Sequence, residues 1–118
     1  MNILSINQLV FDGTEQDFYS FRVEVKCPKC FSNLSFLADD MIPIEDLNIG
    51  LFPKGFTKQL NLKRRAGGNV FENERGLVSY AMQCKCKSCG TKSAVIAGIG
   101  EIQPTRLNVI VEGVVAEA

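Results

Sequence analysis

Two stretches decide the fold: YSFRVEVKCPKC (residues 19–30) and VSYAMQCKCKSC (residues 78–89) each lead an alternating apolar pattern into a pair of cysteines. In the first stretch the apolar face of the pattern holds Tyr19, Phe21, Val23, Val25 and Cys27. In the second stretch the corresponding face holds Val78, Tyr80, Met82, Cys84 and Cys86. A period of two is typical of a half-buried antiparallel strand. The repetition predicts two strands that end alike, each in a turn that carries cysteines.

Four further segments have the character of strands: residues 3–11, 32–38, 92–102 and 106–115. Asp12 and Gly13 form a turn signal after the first of these segments, and Pro104 separates the last two. Alternation is the dominant local signal, and helical patterns are scarce. The chain is therefore predicted to be mostly β, as a small antiparallel sheet or a partly open barrel with little helix.

The middle of the chain, at about residues 39–76, is irregular in sequence. It is rich in proline and glycine, which argue against long regular elements. A short helical turn is expected at residues 44–49, and a loop is expected at residues 65–76 with Gly67-Gly68-Asn69 at its tip. We interpret residues 1–118 as a single domain that contains this segment as an insertion.

The composition limits the classes of protein to be considered. The 118 residues carry 13 basic and 13 acidic side chains, and the resulting formal charge of zero argues against a dedicated DNA-binding domain. The N-terminal residues lack the pattern of a signal peptide, and no apolar stretch reaches the ~18 residues that a membrane span needs. We therefore expect a cytoplasmic protein without a membrane partner, whose five cysteines serve as ligands rather than in disulfides.

The cysteines form two C-x-x-C pairs, Cys27 with Cys30 and Cys86 with Cys89. Such a turn directs both sulfurs at one ion, and the glycine that follows the second pair, Gly90, permits a positive φ. Two of these knuckles supply four thiolates, which is the ligand set of a closed tetrahedral zinc site. We therefore expect one structural Zn²⁺ at the tips of two hairpins, with iron as the rival metal.

Through these four cysteines the chain resembles the zinc-ribbon and rubredoxin-like group of folds. The resemblance covers the knuckles and their flanking strands, roughly a third of the chain, and it implies a closed site with four cysteine ligands. Two features differ from a compact zinc ribbon. Phe31 instead of a glycine follows the first pair, and residues 31–85 separate Cys30 from Cys86. Such a long insertion adds little closure entropy, because that cost grows only logarithmically with length.

Other uses of the cysteines remain open on the sequence. CPKC (27–30) also looks like the dithiol of glutaredoxin-like proteins, but that chemistry needs its first cysteine at a helix N-terminus, and the residues after Cys30 alternate like a strand. Cys84 belongs to neither pair. Because the chain contains no histidine to act as a base, Cys84 is interpreted as a small buried hydrophobe rather than a nucleophile. We expect no enzymatic activity and no small-molecule substrate.

Two groups of basic residues stand out. The first lies in residues 54–65, next to Phe52 and Phe56, and consists of Lys54, Lys58, Lys63, Arg64 and Arg65. It suits either single-stranded nucleic acid bound by charge and stacking, or a solvated loop whose phenylalanines enter the core. The second lies beside the cysteines and consists of Lys26, Lys29, Lys85, Lys87 and Lys92. It would offset the negative charge of a zinc ion with four thiolates.

The acidic segment, residues 39–46, mixes carboxylates with apolar residues. Its candidate binding residues are Asp39, Asp40, Met41, Glu45 and Asp46. Such a surface suits a protein partner that carries basic groups. We therefore expect a non-enzymatic, zinc-stabilised protein that acts through protein–protein interaction; analogy with small free-standing zinc-ribbon proteins suggests an immunity- or inhibitor-type accessory protein of a bacterium or phage. The alternative is a nucleic-acid-binding zinc ribbon that uses residues 54–65, and the lesser alternative is a thiol redox protein.

Overall fold

A computed structural model describes residues 3–65, 68 and 70–117, apart from the side chain of residue 49. Its strands are β1 (Ile3–Thr14), β2 (Arg22–Lys26), β3 (Asn33–Leu37), β4 (Ile42–Pro43), β5 (Lys63–Arg64), β6 (Phe71–Glu72), β7 (Val78–Lys85), β8 (Lys92–Gln103) and β9 (Arg106–Ala116). Its helices are α1 (Glu15–Phe18), α2 (Phe56–Gln59) and 3₁₀ helices at Ala38–Asp40, Ile44–Asp46 and Ile49–Leu51. The prediction of a mostly β chain with little helix is confirmed.

One antiparallel sheet of seven strands dominates the molecule. Its order is β1-β9-β8-β7-β6-β5, and β4 pairs with β7. Among the residues that the structure describes, the sheet is open and does not close into a barrel. Strands β2 and β3 form a separate two-stranded sheet. The long strands β7, β8 and β9 follow one another as hairpins, so the second cysteine pair lies at one end of the large sheet.

The central strands β8 and β9 are apolar on both sides, and other parts of the chain cover both faces of the large sheet. One face packs against the β2–β3 hairpin in a cluster that contains Val23, Val25, Leu34, Phe36, Val95, Val109 and Val111. The other face packs against the irregular segment in a cluster that contains Ile44, Leu47, Phe52, Phe56, Leu60, Ala94 and Ile96. Each fully buried Val, Ile or Phe stabilises the fold by roughly 1.5–3 kcal/mol. Packing therefore holds the irregular segment in place although it has little regular secondary structure.

The turn predicted at Asp12 and Gly13 is wrong. Strand β1 continues through both residues to Thr14, with Asp12 paired to Asn108 and Gly13 paired to Leu107. Arg106 donates a hydrogen bond to Asp12 at 2.8 Å, which favours the extended pairing over a turn. The chain reverses afterwards, at α1, where Thr14 caps the first turn by accepting from the N–H of Asp17 at 3.3 Å.

The segment predicted as a helical turn, residues 44–49, contains the 3₁₀ helix Ile44–Asp46 and the first residue of the 3₁₀ helix Ile49–Leu51, and residues 47 and 48 between them are not helical. Of the loop tip predicted at Gly67-Gly68-Asn69, residues 67 and 69 lie outside the described residues. Among the helices that the described ranges contain, none has the length and apolar character needed to cross a membrane.

Candidate metal centre

The two cysteine pairs lie in the turns of two hairpins. Lys26 at the end of β2 pairs with Asn33 at the start of β3, so the first turn comprises residues 27–32. Lys85 at the end of β7 pairs with Lys92 at the start of β8, so the second turn comprises residues 86–91. The two turns therefore have the same length and carry their cysteines at the same positions.

The two turns also share a hydrogen-bond pattern. In the first, the N–H of Cys27 donates to the carbonyl of Ser32 at 2.8 Å, and the N–H of Phe31 donates to the carbonyl of Cys27 at 3.0 Å. The second repeats both bonds, from Cys86 to Thr91 at 2.9 Å and from Gly90 to Cys86 at 2.8 Å. The two turns are therefore equivalent knuckles.

Phe31 adopts the left-handed backbone conformation that the sequence led us to expect only of a glycine. Its φ is +62°, next to +74° for Gly90 at the equivalent position. For a residue with a Cβ this region costs about 1–2 kcal/mol. The side chain of Phe31 is 56% exposed, so burial does not offset that cost. The missing glycine thus adds strain to the first knuckle without changing its shape.

The four paired cysteines bring their sulfurs together. Cys27 Sγ lies 3.7 Å from Cys89 Sγ, Cys30 Sγ lies 3.5 Å from Cys86 Sγ, and all four lie within 4.8 Å of one another. Metal–sulfur bonds of about 2.3 Å in a tetrahedron separate the sulfurs by about 3.8 Å, whereas disulfide sulfurs are about 2.05 Å apart. The thiols are free. This is the geometry of a metal site with two ligands from each knuckle.

Each knuckle contributes one buried and one exposed cysteine to the cluster. Cys27 and Cys86, the first cysteines of the pairs, are buried in the cluster beneath the β2–β3 hairpin. Cys30 and Cys89, the second cysteines, are exposed. The Cys27–Cys89 and Cys30–Cys86 contacts each join a first cysteine to the second cysteine of the other pair, which gives the site an approximate twofold arrangement.

A hydroxyl group lies beside each exposed sulfur. Ser32 Oγ is 3.3 Å from Cys30 Sγ, and Thr91 Oγ1 is 3.0 Å from Cys89 Sγ. The hydrogen bond with Ser32 is the main cause that lowers the pKa of Cys30 to about 6, and the hydrogen bond with Thr91 is the main cause that lowers the pKa of Cys89. Since metal ligands are thiolates, both hydroxyls stabilise the form of the cysteine that binds.

The lysines beside the cysteines, Lys26, Lys29, Lys85, Lys87 and Lys92, are all exposed. Lys85 and Lys92 stand directly opposite each other on β7 and β8. Like charges in that position are destabilising unless an anionic group lies nearby. Glu117 lines a cleft together with both lysines, and thiolates at the neighbouring cysteines would add further negative charge.

Cys84 lies outside the cluster of four sulfurs. It stands opposite Ser93 on the sheet and packs, half-buried, against the cluster beneath the β2–β3 hairpin. Burial raises the pKa of its thiol. These observations agree with the interpretation of Cys84 as a packing residue.

The candidate nucleic-acid residues Lys54, Lys58, Lys63, Arg64 and Arg65 are all exposed. The phenylalanines beside them are not, because Phe52 and Phe56 are 5% and 1% exposed and pack against each other. Arg65 is paired with Glu72 at 2.6 Å, and Arg64 lies over the ring of Phe71. Lys58 and Lys63 line one surface cleft, whereas Lys54 and Arg64 line another. Because Phe52 and Phe56 are buried, they cannot serve as a stacking platform for nucleic acid.

The acidic segment divides between the core and the surface. Its carboxylates, those of Asp39, Asp40, Glu45 and Asp46, are exposed on two 3₁₀ helices. Met41 is buried and is not available to a partner in this conformation. Ile42 is the exposed apolar residue of the segment. Tyr19 is also exposed, and Asp39 is close enough to contribute to the raised pKa of Tyr19, whose main cause is the hydrogen bond with Glu15.

Sequence reasoning missed one functional candidate, Glu112 on β9. Its side chain is buried and accepts a hydrogen bond from Asn73 at 2.9 Å. Burial is the main cause that raises the pKa of this carboxyl. The signal was present in the sequence, since Glu112 interrupts the otherwise apolar run at residues 109–116.

Comparison of the chain with protein-family models, with curated proteins and with solved structures gives no significant match. The resemblance to zinc ribbons consequently rests on the cluster of four cysteines and identifies no family.

Proposed function

We propose that the four cysteines hold one structural Zn²⁺ and that the protein is a non-enzymatic binding protein whose acidic segment docks a protein partner. The observation that carries the proposal is the meeting of two equivalent knuckles, which presents four sulfurs within 4.8 Å of one another. An immunity- or inhibitor-type role is the narrower form of the same proposal.

Zinc is favoured by the number and kind of the ligands. Four thiolates in a tetrahedron leave no position for substrate or water, which is typical of structural rather than catalytic zinc. Zinc with four thiolates carries a net negative charge, and the opposed Lys85 and Lys92 offset it. Iron can occupy the same ligand set, so the metal is decided by experiment.

Elemental analysis of the purified protein tests the metal. We expect about one zinc per chain, with loss of the metal and of folded structure after chelation. A Cys86→Ser variant that folds normally without metal would refute the structural role. Stoichiometric iron with a thiolate charge-transfer spectrum would identify the metal as iron instead of zinc.

The protein-docking role is supported by the composition of the acidic surface, defined here as Asp39, Asp40, Glu45, Asp46, Ile42 and Tyr19. Four exposed carboxylates flank Ile42 along the chain, and Ile42 is 39% exposed. Tyr19, which is 53% exposed, lies near Asp39. Tyrosine is enriched at protein interfaces, and a rim of one charge steers a partner of the opposite charge. The core residues Met41 and Ile44 hold the segment against the sheet, so the surface is presented on a fixed backbone.

Affinity capture from lysate, with and without nuclease treatment, tests this role. A protein captured by the wild type is expected to be lost in Asp39→Asn/Asp40→Asn and in Glu45→Gln/Asp46→Asn. It is expected to be retained in Glu24→Gln/Glu101→Gln, which removes two exposed carboxylates elsewhere. Capture of nucleic acid alone, released by salt, would reject the protein-docking role and favour the alternative through residues 54–65.

The two alternatives have weaker support. A nucleic-acid-binding zinc ribbon would use the exposed Lys54, Lys58, Lys63, Arg64 and Arg65, but it lacks stacking from Phe52 and Phe56. A redox dithiol at Cys27 and Cys30 would need a helix after the first cysteine, and strand β3 follows instead.

A further inference from the structure

A polar cavity lies on the face of the large sheet that carries the irregular segment. It has a volume of about 140 Å³, and its lining includes Ser5, Asn7, Asn61, Asn73, Arg75 and Glu112. A water molecule occupies about 30 Å³ of liquid, so the cavity holds a group of about four heavy atoms. Glu112, at 6% exposed, is the buried charge among the lining residues.

The sheet is distorted on both sides of Glu112. Toward β8, consecutive residues Ile96 and Ala97 pair with Gly113 and Val111, which leaves Glu112 as the extra residue of a bulge. Toward β1, the register shifts between Ser5 and Gln8 at the same point. Asn7 lies in this second bulge with φ +51°, and it lines the cavity. Bulges redirect side chains and occur preferentially next to functional sites.

Only one oxygen of Glu112 is used by the part of the chain that the structure describes. Its Oε1 accepts from Asn73 Nδ2 at 2.9 Å, and its Oε2 has no hydrogen-bond partner among those residues. Asn73 is itself fixed, because its Oδ1 accepts from the N–H groups of Arg75 and Leu77 at 2.9 and 3.0 Å. Gly98 allows this approach, since a Cβ there would collide with Asn73. The loop after β6 thus holds one side of a carboxylate whose other side faces the cavity.

The charges change sign from the cavity to its mouth. In the cavity, two acids, Glu74 and Glu112, face one base, Arg75. The mouth is a wider cleft of about 550 Å³ that shares Asn61, Asn73, Glu74 and Arg75 with the cavity and adds Lys58 and Lys63. Its further acid, Glu72, is already paired with Arg65. An acidic interior below a basic mouth is complementary to a molecule with a cationic end and an anionic end.

We propose that this cavity binds a small zwitterion, with a primary ammonium group at Glu112 and an anionic group at Lys58 and Lys63. An ammonium has three donors, and Glu112 Oε2 and the hydroxyl and amide oxygens of the lining can accept them. Arg75 is the one cationic residue of the lining and is exposed, so it compensates the buried carboxylate only in part, and a bound ammonium would complete that compensation. The site is independent of the metal centre and of the acidic surface.

Titration calorimetry and amide chemical shifts test the site in the metal-loaded, full-length protein. The probes are 5-aminopentanoate, n-butylammonium and pentanoate at matched ionic strength. We expect 5-aminopentanoate to bind most tightly, n-butylammonium at least tenfold more weakly, and pentanoate not measurably, with shifts at the amides of Asn73 and Glu112. A lysine-containing peptide tests whether the ammonium group belongs to a small molecule or to a macromolecule. If it binds more tightly than 5-aminopentanoate, the ammonium comes from a macromolecule and the small-molecule proposal is overturned.

Two variants keep the test decisive. Glu112→Gln preserves an acceptor for Asn73 and removes the charge, so it should lower the affinity for both ammonium probes at least tenfold. Lys58→Gln/Lys63→Gln changes exposed residues only, and it should lower the affinity for 5-aminopentanoate to that for n-butylammonium. Glu101→Gln is the matched control and should change neither affinity. The proposal is overturned if no ammonium probe binds at about 10 mM, or if the Lys58/Lys63 variant binds 5-aminopentanoate as the wild type does.

Discussion

The first knuckle, Cys27–Ser32, and the second, Cys86–Thr91, reach one geometry from different sequences. Both close with the same two backbone hydrogen bonds, and both place their fifth residue at positive φ. The fifth residue is Phe31 in one and Gly90 in the other. The comparison teaches that the sulfur positions and the hairpin pairing fix the turn. The residue type at the fifth position decides only how much strain the turn carries.

Loss of a ligand should be the largest effect and should be equal for the two knuckles. Cys30→Ser and Cys89→Ser remove the exposed ligand of each pair. Structural zinc sites contribute on the order of 10 kcal/mol of binding free energy in small domains, so each variant should lose about 3 kcal/mol or more of unfolding free energy. Denaturant unfolding with parallel zinc analysis measures both quantities. A variant that keeps both zinc and stability would show that its knuckle is not a ligand donor.

Loss of a neighbouring hydroxyl should have the next largest effect. Ser32→Ala and Thr91→Val each remove the group that contacts an exposed sulfur. Hydrogen bonds to metal ligands are commonly worth about 10–100-fold in metal affinity, so both variants should bind zinc about tenfold or more weakly. Competition with a chromogenic chelator measures the affinity. A loss confined to one variant would break the equivalence of the two knuckles.

Exchange of the fifth residues should have smaller effects of opposite sign. Phe31→Gly removes a left-handed strain of about 1–2 kcal/mol and adds about 0.5–1 kcal/mol of unfolded-state entropy, so it should stabilise the protein by about 0.5–1 kcal/mol. Gly90→Ala should destabilise it by a similar amount for the reverse reason. Thermal unfolding of the zinc-loaded proteins measures both changes. A Phe31→Gly variant that is less stable than the wild type would show instead that Phe31 stabilises the turn by packing.

The smallest effect should come from the residue two positions before each knuckle. Val25 is buried at this position in β2, and Cys84 is half-buried at the equivalent position in β7. Cys84→Val makes the two strands alike and should change stability by less than about 1 kcal/mol, with zinc still bound at one per chain. Loss of zinc in this variant would give Cys84 a role in the site. Alkylation provides a second measurement, in which iodoacetamide should modify at most Cys84 in the loaded protein and all five cysteines after chelation.

The sequence was sufficient where a pattern has a single physical meaning. Alternation predicted the long strands, and the C-x-x-C spacing predicted which four sulfurs meet, because both follow from local geometry. It was insufficient at Asp12 and Gly13, where pairing with β9 prevails over turn propensity. It also did not predict the bulges around Glu112, because a bulge depends on the register of two neighbouring strands. Burial of Phe52 and Met41 depends in the same way on long-range packing.

The separation of the knuckles along the chain has a consequence for the order of events in folding. The two cysteines of each pair are close in sequence, but residues 31–85 separate the pairs. The pairs can therefore meet only after the intervening chain has folded. If one pair captures an ion first, that ion has only two protein ligands until formation of the sheet brings the other pair to it. Such a half-coordinated ion exchanges readily, whereas the completed site is closed. Refolding in the presence of a chelator that competes with a two-cysteine site should consequently delay folding, and the rate of metal capture should report on the meeting of the two hairpins rather than on the affinity of either turn.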